Sequence, residues 1–519
     1  MAADSAATPG VPASPGSGPP ASLEVIDKGL KKGAIGYLSN IVIGVASTAP
    51  AYSLAATLGF IVGVQGIGVH APAVLLVSFV PMLLIATAYR YLNRADPDAG
   101  TTFAWSTRAL GPGIGWLNGW TIVLADVIVM ASLSDIAAIY TFKLFGFTEL
   151  GESNGAIIVA AALWIAVMTW ICYRGIELSA RIQQVLLSAE ILILTVFAVV
   201  ALAKVYGSHP AGSIEPRASW FDPTQMNFGH LVDGVLLGVF IYWGWDSGVA
   251  VNEESEDSNE GPGRAAIVST IMLVVIYLLV STGAQAFHGI GFLTNEANQE
   301  DVLSALGSGV FGSGWDKLLI IAVLTSASAS TQTTILPTAR TTLSMARWKA
   351  LPGVIGRIHQ RYMTPSVSTL GMGAVSIIVT VVLLLISENV LADSLIALGF
   401  PICFYYGFTG ISCAVYYRHE LFKSLRNFLL LGLAPVAGAL MLFGVFGKAA
   451  EFYGHEANVE SPAIAGITLP LWLGVGGLVL GFVLMLATRP FFREFYARKP
   501  ETAPPGMLEQ PVEHAPARF

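Results

Sequence analysis

The stretch FIYWGWDSGVAVNEESEDSNEGPGR, residues Phe240 to Arg264, starts like a membrane-spanning helix and then departs from that pattern. Residues 235–242 are almost wholly apolar, but Gly244, Asp246 and Gly248 follow where a span of about 20 residues would still be running. Backbone groups cannot stay unpaired in lipid, so an interruption at this depth has to line a cavity or be buried against protein. The stretch therefore predicts an interrupted helix that forms part of a site.

The whole chain has the composition of a membrane protein. Hydrophobic residues make up 54% of the 519 positions and charged residues 12%, and the mean hydropathy is +0.67. The net charge of −7 argues against a nucleic-acid partner, and the three cysteines lack the spacing of a metal site or disulfide framework. No Walker A, CxxC or HExxH motif falls where it could act. We therefore expect a lipid-embedded protein that is neither an enzyme nor a metal or cofactor carrier.

Twelve apolar runs are long enough to span a bilayer, which predicts an all-α integral membrane protein with about 12 helices. Their predicted starting points are Gly36, His70, Trp116, Asn154, Gln183, His230, Arg264, Asp316, Ser366, Val390, Asn427 and Thr468. An even number of spans puts both chain ends on one side. The only Lys and Arg residues on the opposite loops are Lys143, Lys204, Arg217, Lys317 and Lys448. Because basic residues favour the cytoplasmic side, both ends are predicted to be cytoplasmic, with the protein in the cell membrane.

The ends of the chain differ in composition from the middle. Residues 1–30 are rich in Ala, Pro, Ser and Gly and lack the apolar stretch of a signal peptide, which predicts a disordered tail. Residues 491–519 form a second predicted tail. The membrane domain is expected to occupy residues 31–490.

The first span, IGYLSNIVIGVASTAPAYSLAATLGFIVG at residues 35–63, also contains helix-breaking residues, with Gly44 and Pro50 in its middle. Interruptions in the first and sixth spans indicate a repeat of five spans, and an odd number per repeat inverts the second copy. The predicted repeats cover about 36–205 and 230–418, and two further helices cover 427–489. Half-helix ends expose N–H groups that suit a carboxylate and carbonyls that suit an ammonium. The alternative is that these residues only kink the helices or pack closely.

Four motifs in matching order resemble the amino acid–polyamine–organocation superfamily of permeases. The first span carries the glycine- and serine-bearing break, and the sixth reads WGWDS followed by an acidic run and GRA. The loop after the second span, ADPDAGTTFAWSTRALGPGIGWLNGW, is similar to the loop that the family has at this place. The eighth span is similar to the family's arginine-and-proline ending, and it reads SASASTQTTILPTARTTLSMARWKALP. The resemblance covers about residues 30–490. It implies a leucine-transporter-like fold with helices 1 and 6 broken, and a small-molecule substrate carried through the lipid bilayer.

The resemblance also implies the positions of the site. The substrate carboxylate would meet N–H groups at Ser47, Thr48 and Ala49, and its ammonium would meet carbonyls from Phe240 to Trp243, next to the turn at Gly244. The implied function is import of an amino acid by a secondary active transporter coupled to protons rather than sodium. A polyamine or amine permease, an amino acid exchanger, and a non-transporting sensor on the same fold remain alternatives.

Two carboxylates are candidates for ion coupling, because charged groups inside a membrane need a partner or a function. Asp246 stands where the family usually has Glu; it is either a protonation switch or a structural cap. Glu190 corresponds to a position where many members have a lysine, so the lysine-based mechanism does not carry over. It is either a proton or cation site or a buried neutral carboxyl.

Other polar residues leave alternatives open. Asp126 and Asp135 lie nine residues apart, which places them on opposite faces of one helix and weakens a shared dication site. The hydroxyls of the eighth span form either a sodium site or interhelix contacts. The acidic run 253–260 is interpreted as a solvated connection with Arg264 as a partner, or as a gate at the inner mouth.

Overall fold

The computed structural model describes residues 26–504, except 300, 316, 388 and 460, together with residue 508. That part of the chain is helical, with isolated β-bridges and no strand. Most of the predicted tail 1–30, and residues 505–507 and 509–519 of the second tail, lie outside the described residues. The longer helices and one short half-helix are α1 (Tyr37–Ser47), α2 (Pro50–Gly63), α3 (Ala71–Ala95), α4 (Thr102–Leu110), α5 (Pro112–Phe145), α6 (Asn154–Arg174), α7 (Ile176–Ser208), α8 (Phe228–Ile241), α9 (Ser247–Ala250), α10 (Gly261–His288), α11 (Val302–Phe311), α12 (Lys317–Arg347), α13 (Ser366–Ile386), α14 (Val390–Tyr416), α15 (Ala434–Tyr453) and α16 (Gly477–Thr488).

Within the described chain, 11 helical segments are long and apolar enough to cross a membrane. Helices begin within a few residues of the predicted starting points; the largest difference is α7, which begins at Ile176, directly after Gly175. The predicted sixth span corresponds to α8, which has 14 residues and is too short to be counted among the 11. The last two spans, Leu425–Tyr453 and Leu469–Thr488, each contain a π-helical turn.

The first span lies at the centre of the bundle. In an apolar stretch of 18 residues of this span every residue is buried, whereas only 28% of the residues in such a stretch of the last span are buried. Apolar side chains on the outer helices, such as Val185 and Leu385, point outward. A soluble protein rarely exposes so much apolar surface, so these side chains are expected to face lipid. The interrupted first span is therefore shielded from lipid by other helices.

Both ends of the described chain meet on one face, which we call the terminal face; it comprises residues 26–35, 96–101, 252–260 and 491–503. At its N-terminal end Lys28 and Leu30 are buried, so the chain is packed here before the predicted tail ends at residue 30. At its C-terminal end Phe495 and Ala503 are buried, and the Ala503 N–H donates to the Tyr416 carbonyl at 2.9 Å. The second predicted tail thus begins as a packed segment.

Candidate functional site

The first span is interrupted at Thr48 and Ala49. Helix α1 ends at Ser47, and α2 begins at Pro50, whose missing N–H costs nothing at the first position of a helix. Ala49 adopts a left-handed conformation with φ 48° and ψ 66°. Proline disfavours right-handed helical geometry in the preceding residue, and the left-handed alternative is strained for alanine. Local sequence therefore explains where this helix stops.

The sixth span is interrupted between Ile241 and Ser247. Gly244 has φ 117°, a region that residues with side chains rarely adopt. The Tyr277 hydroxyl donates to the Ile241 carbonyl at 2.6 Å, and the Trp243 N–H donates to the Phe240 carbonyl at 2.9 Å. Two carbonyls predicted to hold an ammonium, those of Phe240 and Ile241, thus already accept hydrogen bonds within the protein.

The two interruptions touch each other. The Ser47 and Ser247 hydroxyl oxygens are 2.8 Å apart, across 200 residues of chain. A Cβ atom on Gly244 would lie 2.9 Å from the Ser47 carbonyl carbon, and one on Gly44 would lie 2.9 Å from the Trp245 carbonyl oxygen. Glycine is required at these positions because the two broken helices approach closely. The sequence prediction placed both breaks, and the structure brings them together.

Asp246 lies at the second interruption and accepts hydrogen bonds from three tyrosine hydroxyls. The Tyr406 hydroxyl donates to Oδ1 at 2.8 Å, while Tyr405 and Tyr89 donate to Oδ2 at 3.1 and 3.3 Å. The Trp243 indole N–H donates in turn to the Tyr405 hydroxyl oxygen at 2.5 Å. Hydroxyl donors can stabilise a carboxylate charge in place of water.

Aromatic rings enclose the same carboxylate. Trp245 stacks on Tyr406 with ring centroids 5.2 Å apart, and Tyr89 meets Trp245 edge-on at 4.9 Å. The tyrosines were not among the predicted site residues. The sequence feature that could have indicated them is the pair Tyr405 and Tyr406, because two adjacent hydroxyl-bearing residues stand out in an apolar span.

Glu190, the second predicted coupling residue, lies at the first interruption. Its Oε1 accepts the Ala51 N–H at 2.8 Å and the Ser326 hydroxyl at 2.7 Å. The Ser326 oxygen also accepts the Tyr52 N–H at 3.2 Å. Helix α2 is therefore capped by side chains from α7 and α12, because Pro50 and the strained Ala49 provide no local cap.

The predicted carboxylate-binding residues have partners of their own. The Thr48 N–H donates to Val45 and the Ala49 N–H to Ala46, each at 3.2 Å. The Ser47 carbonyl accepts the Ser330 hydroxyl at 2.8 Å. Of the eighth-span hydroxyls, Ser326 and Ser330 contact the first span, whereas those of Ser328, Thr331 and Thr333 donate to carbonyls of their own helix.

Asp126 and Asp135 lead to different parts of the molecule. The Thr338 hydroxyl of α12 donates to Asp126. Asp135 lines a separate cavity of about 470 Å³ together with Glu152 and Asn154. Among the described residues, no group of three or more His, Cys, Asp or Glu side chains could hold a metal ion.

Part of the acidic run is buried in the terminal face. Lys28 forms ion pairs with Asp98, at 2.9 Å, and with Glu253. Burial raises the pKa of Glu253 to about 6, against the opposing effect of the Lys28 ammonium. Burial also acts to raise the pKa of Asp98, but the Lys28 charge and hydrogen bonds from Lys28, Ser344 and the Gly100 N–H together bring the pKa below its usual range.

A second buried ion pair joins the run to α12. Arg340 contacts Glu254 at 2.6 Å, and the side chains are 2% and 0% exposed. Arg264 pairs with Glu260 at 3.2 Å, as predicted. The solvated-connection interpretation is wrong for Glu254, because its partner comes from another helix and excludes water.

The chain matches a known family over most of its length. A model of the family described as amino acid permease matches residues 35–475. The chain belongs to the amino acid permease family. The resemblance inferred from the sequence motifs is thereby confirmed.

Several curated relatives show what this permease is similar to. It is 22% identical to the low-affinity putrescine importer PlaP of Escherichia coli (strain K12), over 80% of its own chain and 86% of that protein. It is 23% identical to the branched-chain amino acid permease BcaP of Bacillus subtilis (strain 168), over 58% and 64%. It is 25% identical to the Asc-type amino acid transporter 1 of Homo sapiens, over 59% of each chain. These names describe transporters rather than enzymes.

Proposed function

We propose that the permease is a secondary active transporter that imports a small amino acid or amine across the cytoplasmic membrane by alternating access, driven by protons. The observation that carries this proposal is the contact between two interrupted helices, where Ser47 and Ser247 lie 2.8 Å apart. Interrupted backbone at membrane depth is tolerated where it lines a binding site. Relatives whose names include a putrescine importer and a branched-chain amino acid permease support the substrate range.

In the proposed architecture α8 and α9 together form a twelfth span, and ten spans form the inverted five-plus-five repeat. The positions of α1, α2, α8 and α9 support this, since the second break follows the first at an interval of five spans, with four spans between them. The Lys and Arg distribution supports a cytoplasmic terminal face. The buried pairs Lys28–Asp98 and Arg340–Glu254 then close the cytoplasmic entrance, and they have to separate when the site opens inward.

Proton coupling is assigned to the carboxylates of Glu190 and Asp246, one at each interruption. Both are buried, and each contacts a segment that alternating access would move. A sodium site between the first and eighth spans is less well supported, because the Ser326 and Ser330 hydroxyls already bond Glu190 and the Ser47 carbonyl.

The test is uptake by the purified permease in liposomes, with labelled amino acids and amines under an imposed pH gradient or an imposed sodium gradient. We expect saturable uptake of at least one substrate that the pH gradient accelerates and the sodium gradient does not. Absence of saturable flux contradicts transport, and flux driven only by sodium contradicts the proton assignment. Flux that requires substrate on the inside indicates an exchanger.

A further inference from the structure

The backbone N–H groups around the first interruption are all engaged by the protein itself. The groups of Thr48 and Ala49 donate to carbonyls of α1, and Pro50 has none. The next two belong to Ala51 and Tyr52 and donate to Glu190 and Ser326. This is the half-helix N-terminus that would otherwise hold a substrate carboxylate.

The side chain that takes this place is itself a carboxylate. Glu190 is 0% exposed, and its Oε2 has no hydrogen-bond partner among the described residues. A substrate carboxylate could reach the Ala51 N–H only by displacing Glu190, which would then lose one of its two hydrogen-bond donors inside the protein. The permease thus supplies its own acid where an amino acid would present one.

The second interruption offers the opposite kind of partner. The Asp246 carboxylate has about four lone-pair directions, and three tyrosine hydroxyls occupy three of them. Ser47, Trp243 and Asp246 each keep 8% of their surface exposed, unlike Glu190. An ammonium at this point gains an acceptor and the faces of aromatic rings.

The interior of the bundle contains acids that lack a basic partner. Asp126, Glu190 and Asp246 are buried, and within the described ranges none of them forms an ion pair with Lys, Arg or His. A buried acid without a basic partner is either protonated or matched by a bound cation.

We propose that the substrate is an organic amine without a carboxylate, whose ammonium binds Asp246 beside Trp243 while Glu190 retains the Ala51 N–H and carries the coupling proton. This inference rests on the proposed transport function and narrows its substrate class. It also replaces the carboxylate position that the family resemblance implied at Ser47 to Ala49, and it gives Asp246 a role in substrate binding instead of proton coupling.

The test uses three pairs of compounds that differ only by an α-carboxylate: cadaverine and lysine, isobutylamine and valine, phenethylamine and phenylalanine. Binding to the purified permease is measured by ligand-dependent thermal shift, and uptake is measured in liposomes. In at least one pair we expect the amine to bind ten or more times more tightly than the amino acid. Equal or tighter binding of the amino acid in every pair overturns the inference.

Two variants distinguish the roles of the Asp246 and Glu190 carboxylates. Asp246→Asn is expected to weaken amine binding about tenfold, whereas Glu190→Gln retains an oxygen acceptor for Ala51 and keeps the preference for amines. Amino acid uptake without amine uptake leaves the transporter function standing and refutes this inference. If neither compound of any pair binds or crosses, the inference fails, and absence of flux across the wider panel contradicts the transporter function as well.

Discussion

The Glu190 carboxylate accepts the backbone N–H of Ala51 at 2.8 Å, joining residues 139 positions apart in the chain. A helix beginning at a proline after a strained alanine lacks a local cap, and here the cap comes from another span. The same oxygen accepts the Ser326 hydroxyl, so three membrane helices meet at one atom. This atom couples the first interruption to its neighbours.

Removing the cap is expected to destabilise the permease. Glu190→Ala leaves the buried Ala51 N–H without a partner, a loss of about 1–3 kcal/mol, whereas Glu190→Gln keeps an acceptor. We expect a lower melting temperature in detergent for the alanine variant and a much smaller change for glutamine. Val185→Ala, on the outward side of the same helix, is the control. Equal melting temperatures for the glutamate and alanine proteins would contradict the capping role.

The Tyr406 hydroxyl is expected to support substrate binding through Asp246. Tyr406→Phe removes the shortest hydroxyl contact to the carboxylate, worth about 1.5–3 kcal/mol for a charged acceptor, and should weaken substrate binding about tenfold. Tyr416→Phe is a matched control on the same helix, since the Tyr416 hydroxyl is buried without a hydrogen-bond partner among the described residues. The measurement is the dissociation constant of the substrate for each of the two variants. A larger loss for Tyr416→Phe would argue against the assignment.

The Arg340–Glu254 pair is expected to be important for stability. Removing one partner leaves a buried charge and costs about 3–5 kcal/mol, so Arg340→Met should reduce folded yield or melting temperature severely. The double variant Arg340→Met with Glu254→Met should recover much of the loss. Lys349→Met breaks an exposed pair with Glu494 and should change stability by at most about 1 kcal/mol. If Arg340→Met lowers the stability no more than Lys349→Met does, the prediction is wrong.

Close approach of the interrupted helices makes Gly44 intolerant of a side chain. In Gly44→Ala the new methyl group meets the Trp245 carbonyl oxygen at 2.9 Å, and overpacking of this kind costs about 1–3 kcal/mol. We expect reduced transport and a lower melting temperature. Gly371→Ala is the helical control, because nothing lies within 4 Å of its added atom. Wild-type flux in the Gly44 variant would show that the contact relaxes easily.

The terminal face should close more firmly in acid. Glu253 has a pKa of about 6 when buried, above its usual 4.5, so the closed state binds a proton more tightly than an open one. Protonation of Glu253 contributes free energy to the closed state, up to about 2 kcal/mol. This contribution is fully present below pH 4.5 and is lost as the pH rises through about 6. Between pH 5 and 7 the wild-type melting temperature should fall more than that of Glu253→Gln. Glu256→Gln, an exposed acid in the same run, should behave like the wild type.

Much of the helical framework could be predicted because its causes are local. Apolar runs indicate where helices begin, and Pro50 and Gly244 indicate where two of them stop. The contacts of Glu190 and Asp246 could not be predicted, because their partners come from helices distant in the chain. For the same reason the sequence of the acidic run indicates a solvated connection, whereas the partner that buries Glu254 lies 86 residues away.

Lys28 is translated early and Ala503 late, yet both are buried on the same face. The Arg498 guanidinium lies over the Trp348 ring at 4.7 Å, and Phe495 packs in the same cluster. This surface therefore stays incomplete during synthesis until Phe495 and Arg498 have left the ribosome. A chain truncated before Phe495 would leave the Phe103 and Trp348 rings uncovered, so the membrane helices alone cannot complete the terminal face.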